Sequence, residues 1–333
     1  MTVRLGIPAA LLYYLHYPAW HSFFSALGVE VVTSGETTRD ILDLGIREAL
    51  ADACVPVKVY FGHVMALREK VDYLFIPRMV CTNGETTYCP KFLGMPDMIR
   101  HSLTDLPPII DVRLDVREGW NARWQACRQA GRALGADAWT INRAFFKALA
   151  AERCHHRLLQ AGYQPPEAIK IIVHGRGGRR TGPKADPPGD LVFAVLGYPY
   201  AVHDRYISVG LLPKLRKMGV RVLTAENLPY KALMRQNLDF DKRLFWTYSD
   251  LCIRATEYIF KKGGVDGIIH LTAFGCGPDS LLDKFMEMKA RKQRSIPFMS
   301  LTIDEQSGEA GMVTRLEAFV DMVRRKKGAA KGA

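Results

Sequence analysis

VRLGIPAALLYYLHYPAWHSFFSALGVEVVTS, residues 3–34, reads as a strand (VRLGIP, 3–8), an aromatic helix (11–28) and a second strand (VEVVTS, 29–34). The pattern returns from residue 191. LVFAVLGYP (191–199) is the strand, HDRYISVGLLPKLRKMG (203–219) the helix and VRVLTAE (220–226) the next strand. Both helices end on a glycine before valine, at Leu27-Gly28-Val29 and Met218-Gly219-Val220. Glycine after a helix supplies the left-handed residue that stops it. Val71–Pro77 (VDYLFIP) matches Val265–Leu271 (VDGIIHL), and both have the continuous apolar character of buried parallel strands. Two βαβ-type copies predict two doubly wound parallel-sheet α/β domains related by an internal repeat. The functional crevice is expected at the carboxyl ends of the strands.

Between the copies the character changes. Residues 117–161 are rich in Ala, Arg and Leu at helical spacing and contain no proline. A Gly/Pro/Arg stretch then leads to Asp190. This predicts a first domain over 1–111, a helical insertion and basic linker over 112–189, and a second domain with a basic tail over 190–333. A length of 333 residues accommodates two such cores, since single cores rarely grow past about 250–300 residues.

The net charge of +12 is concentrated. GRGGRRTGPK (175–184) carries +4 and RRKKGAAKGA (324–333) carries +5. Such runs can meet an acidic partner, but solvated segments account for them, and nucleic acid is not the expected partner. The glycine-rich run leads into PKADPPGD instead of a helix, so it is not read as a phosphate cradle. No GxxxxGK[ST] loop occurs, so ATP chemistry would have to come from another chain. No apolar run approaches the roughly 20 residues of a membrane span. Without a secretion signal, the odd cysteine count of seven points to a reducing cytoplasm.

Three cysteines share a local pattern. Cys54-Val55-Pro56, Cys89-Pro90 and Cys276-Gly277-Pro278 each precede a helical stretch. Proline just inside a helix start is favoured because its missing N–H has no partner there to lose. Each sulfur would sit near exposed N–H groups and the positive end of a helix dipole, which favour a thiolate. Cys81 is a fourth candidate, placed by the repeat beyond a strand end equivalent to that before Cys276, so the two are expected to face each other. Cys127, Cys154 and Cys252 lie within helical patterns and read as packing thiols. No CxxC pair exists, and spacings of 35 and 187 residues mean that the fold must assemble any shared site. An iron–sulfur cluster, buried structural thiols and a zinc site all stay open on this pattern.

The same residues carry a resemblance. LGIPAALLYYLHYPAWHSFFSALGVEVV, CVPVKVYFGHVMAL, YLFIPRM, YCPKFLGMPDMIRHS, HLTAFGCGPDS and LTIDEQSGEAGMVTRLEAF resemble the acyl-CoA dehydratase activase-related proteins. That group is similar to the subunits of the 2-hydroxyacyl-CoA dehydratases, such as the 2-hydroxyglutaryl-CoA dehydratase D-component. The likeness covers nearly all of 3–111 and 190–323 and is weakest over the insertion.

The resemblance implies an oxygen-sensitive [4Fe-4S] protein of two α/β domains, with Cys54, Cys89 and Cys276 as cluster ligands. One iron would remain open to water or substrate. Cys81 is a fourth metal-ligand candidate, which would close the fourth site if the protein is only an electron carrier. The implied partner is an ATP-hydrolysing activator that carries its own cluster and injects one low-potential electron. The implied reaction reduces a 2-hydroxyacyl-CoA thioester to a ketyl radical, which expels hydroxide. Some relatives carry a larger double-cubane cluster, for which four candidate ligands per chain are too few. A dimer, an acyl-CoA or small-molecule substrate and a role in anaerobic metabolism complete what the resemblance implies. A non-catalytic electron carrier and a cluster-free binding protein are the competing readings.

Other residues have weaker signals. Lys58, His63 and Lys91 follow the cysteines closely and could face a cluster or a CoA anion, or be solvated. Asp279 and Ser280 are expected to cap the helix after Cys276. Asp304-Glu305, with Gly308 and Gly311, marks a loop opening the last helix, read as a phosphate or ligand loop or a simple cap. The aromatic set Tyr13, Tyr14, Tyr17, Trp20, Phe23 and Phe24 is read as inter-domain core, or as a dry wall beside a cluster. His155-His156 has no partner at metal spacing.

Overall fold

The computed structural model describes residues 2–175, 189–238, 244–293 and 295–331. It is an α/β protein with parallel sheets. In the first half β1 (Arg4–Ile7), α1 (Tyr13–Ala26) and β2 (Glu30–Thr33) are followed by α2 (Arg39–Glu48), α3 (Val55–Leu67) and β3 (Tyr73–Phe75). Then come β4 (Arg78–Cys81), α4 (Pro90–Ser102), β5 (Ile109–Ile110) and β6 (Arg113–Asp115). The main sheet has the order β2-β1-β3-β5, while β4 and β6 pair separately.

Alternation along the strands covers both faces of this sheet. Leu5, Ile7, Phe75 and Ile110 pack into one apolar cluster with Phe23 and Phe24 of α1. Gly6 and Leu74 face the other way, where Leu67 of α3 packs. A Cβ at Gly6 would press on Val71, so this strand position lets α3 and its following turn approach.

The insertion forms α5 (Ala122–Ala133), α6 (Ala138–Gln160) and α7 (Pro165–Val173). Asp137 caps α6 by accepting from Trp139 N–H and Thr140 N–H. These helices are not a detached linker. Ala126, Ala130, Ala144, Ala148 and Ile169 complete the cluster over α1 and the first sheet. Small residues at these positions let the helices approach α1 closely. Gly131 is pressed by Ile141 across the α5–α6 contact. The aromatic set of α1 therefore divides. Phe23, Phe24 and Trp20 pack on Phe75 inside the first half, and Tyr14 points to His203 of the second.

The second half contains β7 (Leu191–Gly197), α8 (Pro199–Val202), α9 (Leu211–Lys217), β8 (Val220–Thr224) and α10 (Tyr230–Met234). It continues with α11 (Thr247–Lys262), β9 (Gly267–Ala273), α12 (Gly277–Gln293), β10 (Phe298–Ile303) and α13 (Glu309–Lys331). Its sheet has the order β8-β7-β9-β10, all parallel. The expected helix over 203–219 is corrected to α9 alone. Residues 203–210 turn instead, with Asp204 accepting from Tyr206 N–H and Ile207 N–H. Val209 and Gly210 adopt φ of 51° and 67°, and Pro213 lacks the N–H that a longer upstream helix would need.

The basic end of the chain is more ordered than a solvated tail. Arg324 reaches Asp190 (2.9 Å) and the Met218 carbonyl (2.6 Å), and Lys327 reaches Asp266 (2.8 Å). The run 176–184 and residues 332–333 lie outside the described residues. Among the described residues, no helix is long and apolar enough to cross a membrane. One apolar cluster joins Phe61 and Leu74 of the first half to Phe193 and Ile269 of the second.

Candidate functional site

Cys54 is the N-cap of α3, with φ −65° and ψ 151°. Its carbonyl accepts from Val57 N–H at 2.9 Å. Cys89 takes the same position on α4, with Pro90 as the first helical residue. Cys276 directly precedes α12, and its carbonyl accepts from Ser280 N–H and Ser280 Oγ, both at 2.9 Å. All three expected helix starts are therefore present. The first-turn backbone at Val57 and Asp279 acts on the Cys54 and Cys276 thiols in the direction that lowers their pKa.

The three lie on neighbouring elements. Cys276 is within electrostatic reach of Cys54 and Cys89, and Cys54 of Cys89. Gly275, at φ +79°, lies against Cys54. A Cβ there would stand 3.6 Å from the Cys54 Cα in a backbone conformation that side-chain-bearing residues rarely adopt. Burial pushes the Cys276 thiol up to about 12, helped by Asp279. Burial also raises Cys54, against the pull of Lys91 and the Val57 N–H.

A wall of tyrosines closes the site. Tyr200, on α8, interacts with both Cys276 and Cys54 and is held far above its usual range by burial. Tyr198 donates or accepts at Ser249 Oγ at 2.6 Å, and Tyr248 packs against Tyr88, Tyr198 and Tyr200. The sequence reading missed this wall. Tyr198-Pro199-Tyr200 immediately after a strand end was its signal.

Other candidates fall differently. Cys81 ends β4, in the small second sheet, so its equivalence to Cys276, three residues past β9, does not hold. Its sulfur accepts from Gly84 N–H at 3.2 Å and faces Asn83 within its own loop. Cys252 is buried, with its S–H directed at the Gly197 carbonyl, and burial pushes Cys127 to about 12.

Lys58 is neither solvated nor free for an anion. It pairs with Glu305 at 2.5 Å, and only 11% of its side chain is exposed. The loop holding Glu305 is a local turn, in which Asp304 accepts from Gln306 N–H and from Ser307 Oγ. His63 is fully buried between Ser34 and Thr37. Asp279 does not cap. It is buried 3.3 Å from His270, which also holds Asp283 at 2.8 Å.

Among the described residues, no three His, Cys, Asp or Glu side chains gather where one metal ion could sit. The donor set here is three thiols at three helix N-termini. That is the ligand type taken by iron–sulfur clusters, where each thiolate would bind a different iron and the three need not surround one ion. The residues present fit such a group in chemistry.

Residues 4–228 match the family described as CoA enzyme activase uncharacterised domain. The chain belongs to this family. Residues 213–323 match the 2-hydroxyglutaryl-CoA dehydratase D-component. The protein is thus activase-related and of the 2-hydroxyacyl-CoA dehydratase superfamily. Cys54 and Cys89 lie in the first matched stretch of this activase-related chain, and Cys276 lies in the second. No curated protein matches the chain.

Proposed function

We propose that this chain is an iron–sulfur redox component that binds a [4Fe-4S] cluster on Cys54, Cys89 and Cys276. Its electron would come from an ATP-dependent activator, and its substrate would be an acyl-CoA or another small molecule meeting the site in the crevice. The observation that supports the reading is that three cysteines far apart in sequence, each at a helix start, lie within electrostatic reach of one another. The halves are read as doubly wound repeats, which the shared order of second, first, third and fourth strand supports. The two family matches support an activator as partner. The cytoplasmic setting expected from the cysteines belongs to the same reading.

When bound, such a cluster supplies one-electron redox chemistry. The chain's own residues do the rest. The helix starts at Val57 and Asp279 favour the deprotonated sulfurs, against the burial that raises both thiols. Lys91 adds positive charge beside Cys54. Tyr198, Tyr200 and Tyr248 keep water from one side and lower the local dielectric, which tunes a redox potential. Gly275 lets the loop before α12 close on Cys54. Cys81 is engaged in its own turn, which favours a three-thiol set over a closed four-thiol one.

The test is anaerobic purification with iron, sulfide and electron paramagnetic resonance measurements. About four irons and four sulfides per chain are expected. Cys54→Ala, Cys89→Ala and Cys276→Ala should each lose most of the iron, while Cys127→Ala keeps it. Equal iron in all four variants overturns the assignment. A change of the reduced signal on adding acyl-CoA supports a substrate at the site, and an unchanged signal favours an electron carrier.

A further inference from the structure

A partly open apolar pocket lies away from Cys54, Cys89 and Cys276. Helix α1, the strands β3 and β6, and the insertion helices α5 and α6 surround a hollow of about 110 Å³. Its walls include Trp20, Phe23, Phe24, Phe75, Leu114 and Phe145. These side chains offer no hydrogen bond inside the hollow, apart from the single indole N–H. A water there would find few of the two to four partners it needs. Void space of this kind also forfeits the dispersion contacts that surrounding atoms would otherwise make.

One end is polar. His16, Thr82, Arg123 and Glu152 form its rim. Arg123 pairs with Glu152 at 3.1 Å and donates to the Thr82 carbonyl at 3.0 Å. His16 is kept neutral, because burial and the neighbouring Arg123 push it down to about 3. The rim is therefore electroneutral, with its one cation and one anion already satisfied by each other. A charged ligand would bring an unpaired charge to aromatic walls, which is costly.

We propose that this hollow is a binding site for a compact, uncharged, apolar molecule no larger than a single six-membered ring, carrying at most one hydroxyl or carbonyl at the His16–Thr82 end. The size limit follows from volume. A dry apolar cavity of about 150 Å³ takes up benzene or xenon, so a hollow of about 110 Å³ fits a ring or a short branched chain with slight adjustment. The hydroxyl preference follows from the rim. His16 Nε2 and Thr82 Oγ1 both already meet the Tyr88 hydroxyl, at 3.2 and 3.0 Å. A small polar end can join this cluster without a change of charge. Tyr88, which His16 and Thr82 meet, directly precedes Cys89 in the sequence. The binding itself does not depend on what the cysteines hold.

Xenon gives the most direct test. A crystal of the full chain under xenon pressure should show one atom in the hollow, and its absence there overturns the site. In solution, benzene and cyclohexanol should raise Tm, whereas butyrate and butylamine should not. Equal binding of butyrate would overturn the charge argument. Ala126→Leu places a larger side chain at the wall and should weaken cyclohexanol binding by roughly tenfold or more. Ala148→Leu fills the hollow from α6 and is the second variant should Ala126→Leu not fold. Unchanged binding in a folded filling variant would place the probes elsewhere and overturn the proposal.

Discussion

Lys58 Nζ stands 2.5 Å from Glu305 Oε1, tying the first turn of α3 in one half to the loop after β10 in the other. Lys58 is one turn beyond Cys54, so this ion pair holds the start of α3 against the second half. Both partners are mostly buried, which separates the pair from surface ion pairs worth little. Lys58→Ala is expected to cost about 1–3 kcal/mol, because it leaves Glu305 partly buried without its partner. A double-mutant cycle with Glu305→Gln, read by urea unfolding, should return a favourable coupling. Strictly additive losses would show that the pair does not join the halves energetically.

The contact of α2 and α3 sets where Cys54 stands. A Cβ at Gly45 would overlap the Lys58 carbonyl oxygen, and one at Gly62 would overlap the Ile41 carbonyl oxygen. Both clashes are with backbone, so the helices must separate. Gly45→Ala and Gly62→Ala should each cost about 3 kcal/mol. Gly94→Ala in α4 is the internal control, since nothing lies within 4 Å of a Cβ there. It should stabilise by about 0.5–1 kcal/mol through helix propensity alone. Thermal unfolding of the three variants distinguishes a steric cost from a general intolerance of change.

His270 gives a pH dependence. Burial pushes its pKa down, but the nearby carboxylates of Asp279 and Asp283 outweigh this and raise it to about 9. The folded protein therefore binds this proton more tightly than the unfolded chain, where histidine titrates near 6.5. The stabilisation is fully present below about 6.5 and is lost as the pH rises through about 9, on the order of 3 kcal/mol in all. Urea unfolding from pH 6 to 10 should show this fall in the parent protein, and His270→Gln should flatten it. A variant with the same slope as the parent would assign the effect to other groups.

A chain of hydrogen bonds crosses between the halves on the other side of α3. Ser34 Oγ meets His63 Nδ1 at 2.7 Å, His63 Nε2 meets Thr37 Oγ1 at 2.9 Å, and Thr37 donates to Asp204 Oδ2 at 2.5 Å. Burial holds His63 down to about 4, so it is neutral, and it raises Asp204. One ordering fits these partners. Ser34 donates to Nδ1, Nε2–H donates to Thr37, and Thr37 donates to the carboxylate. Thr37→Val should cost about 1–3 kcal/mol by leaving buried groups unpaired at both ends. Thr37→Ser, which keeps the hydroxyl, should recover most of that loss in the same denaturation assay.

The local signals were legible because they act over a few residues. Gly28 and Gly219 end their helices at φ of 83° and 77°. Pro56 and Pro90 mark helix starts at Cys54 and Cys89. Lys58 and His63 were not legible, since solvation and burial of the same side chain look alike in a helical pattern. The role of Glu305 was likewise invisible, and Tyr198-Pro199-Tyr200 signalled a wall without its partners, because those partners are more than 40 residues away.

By itself, then, the amino-acid order determined an α/β chain with parallel strands and three cysteines each at the start of a helix. Backbone geometry at Gly and Pro and the apolar runs of the strands are enough for that. Only tertiary structure decided that Cys54, Cys89 and Cys276 lie within electrostatic reach of one another while Cys81 turns into its own loop. The same holds for the insertion, which folds back onto α1 and walls a hollow. These outcomes depend on how two halves and an added layer of helices pack, and packing is a property of surfaces that no short stretch of sequence contains.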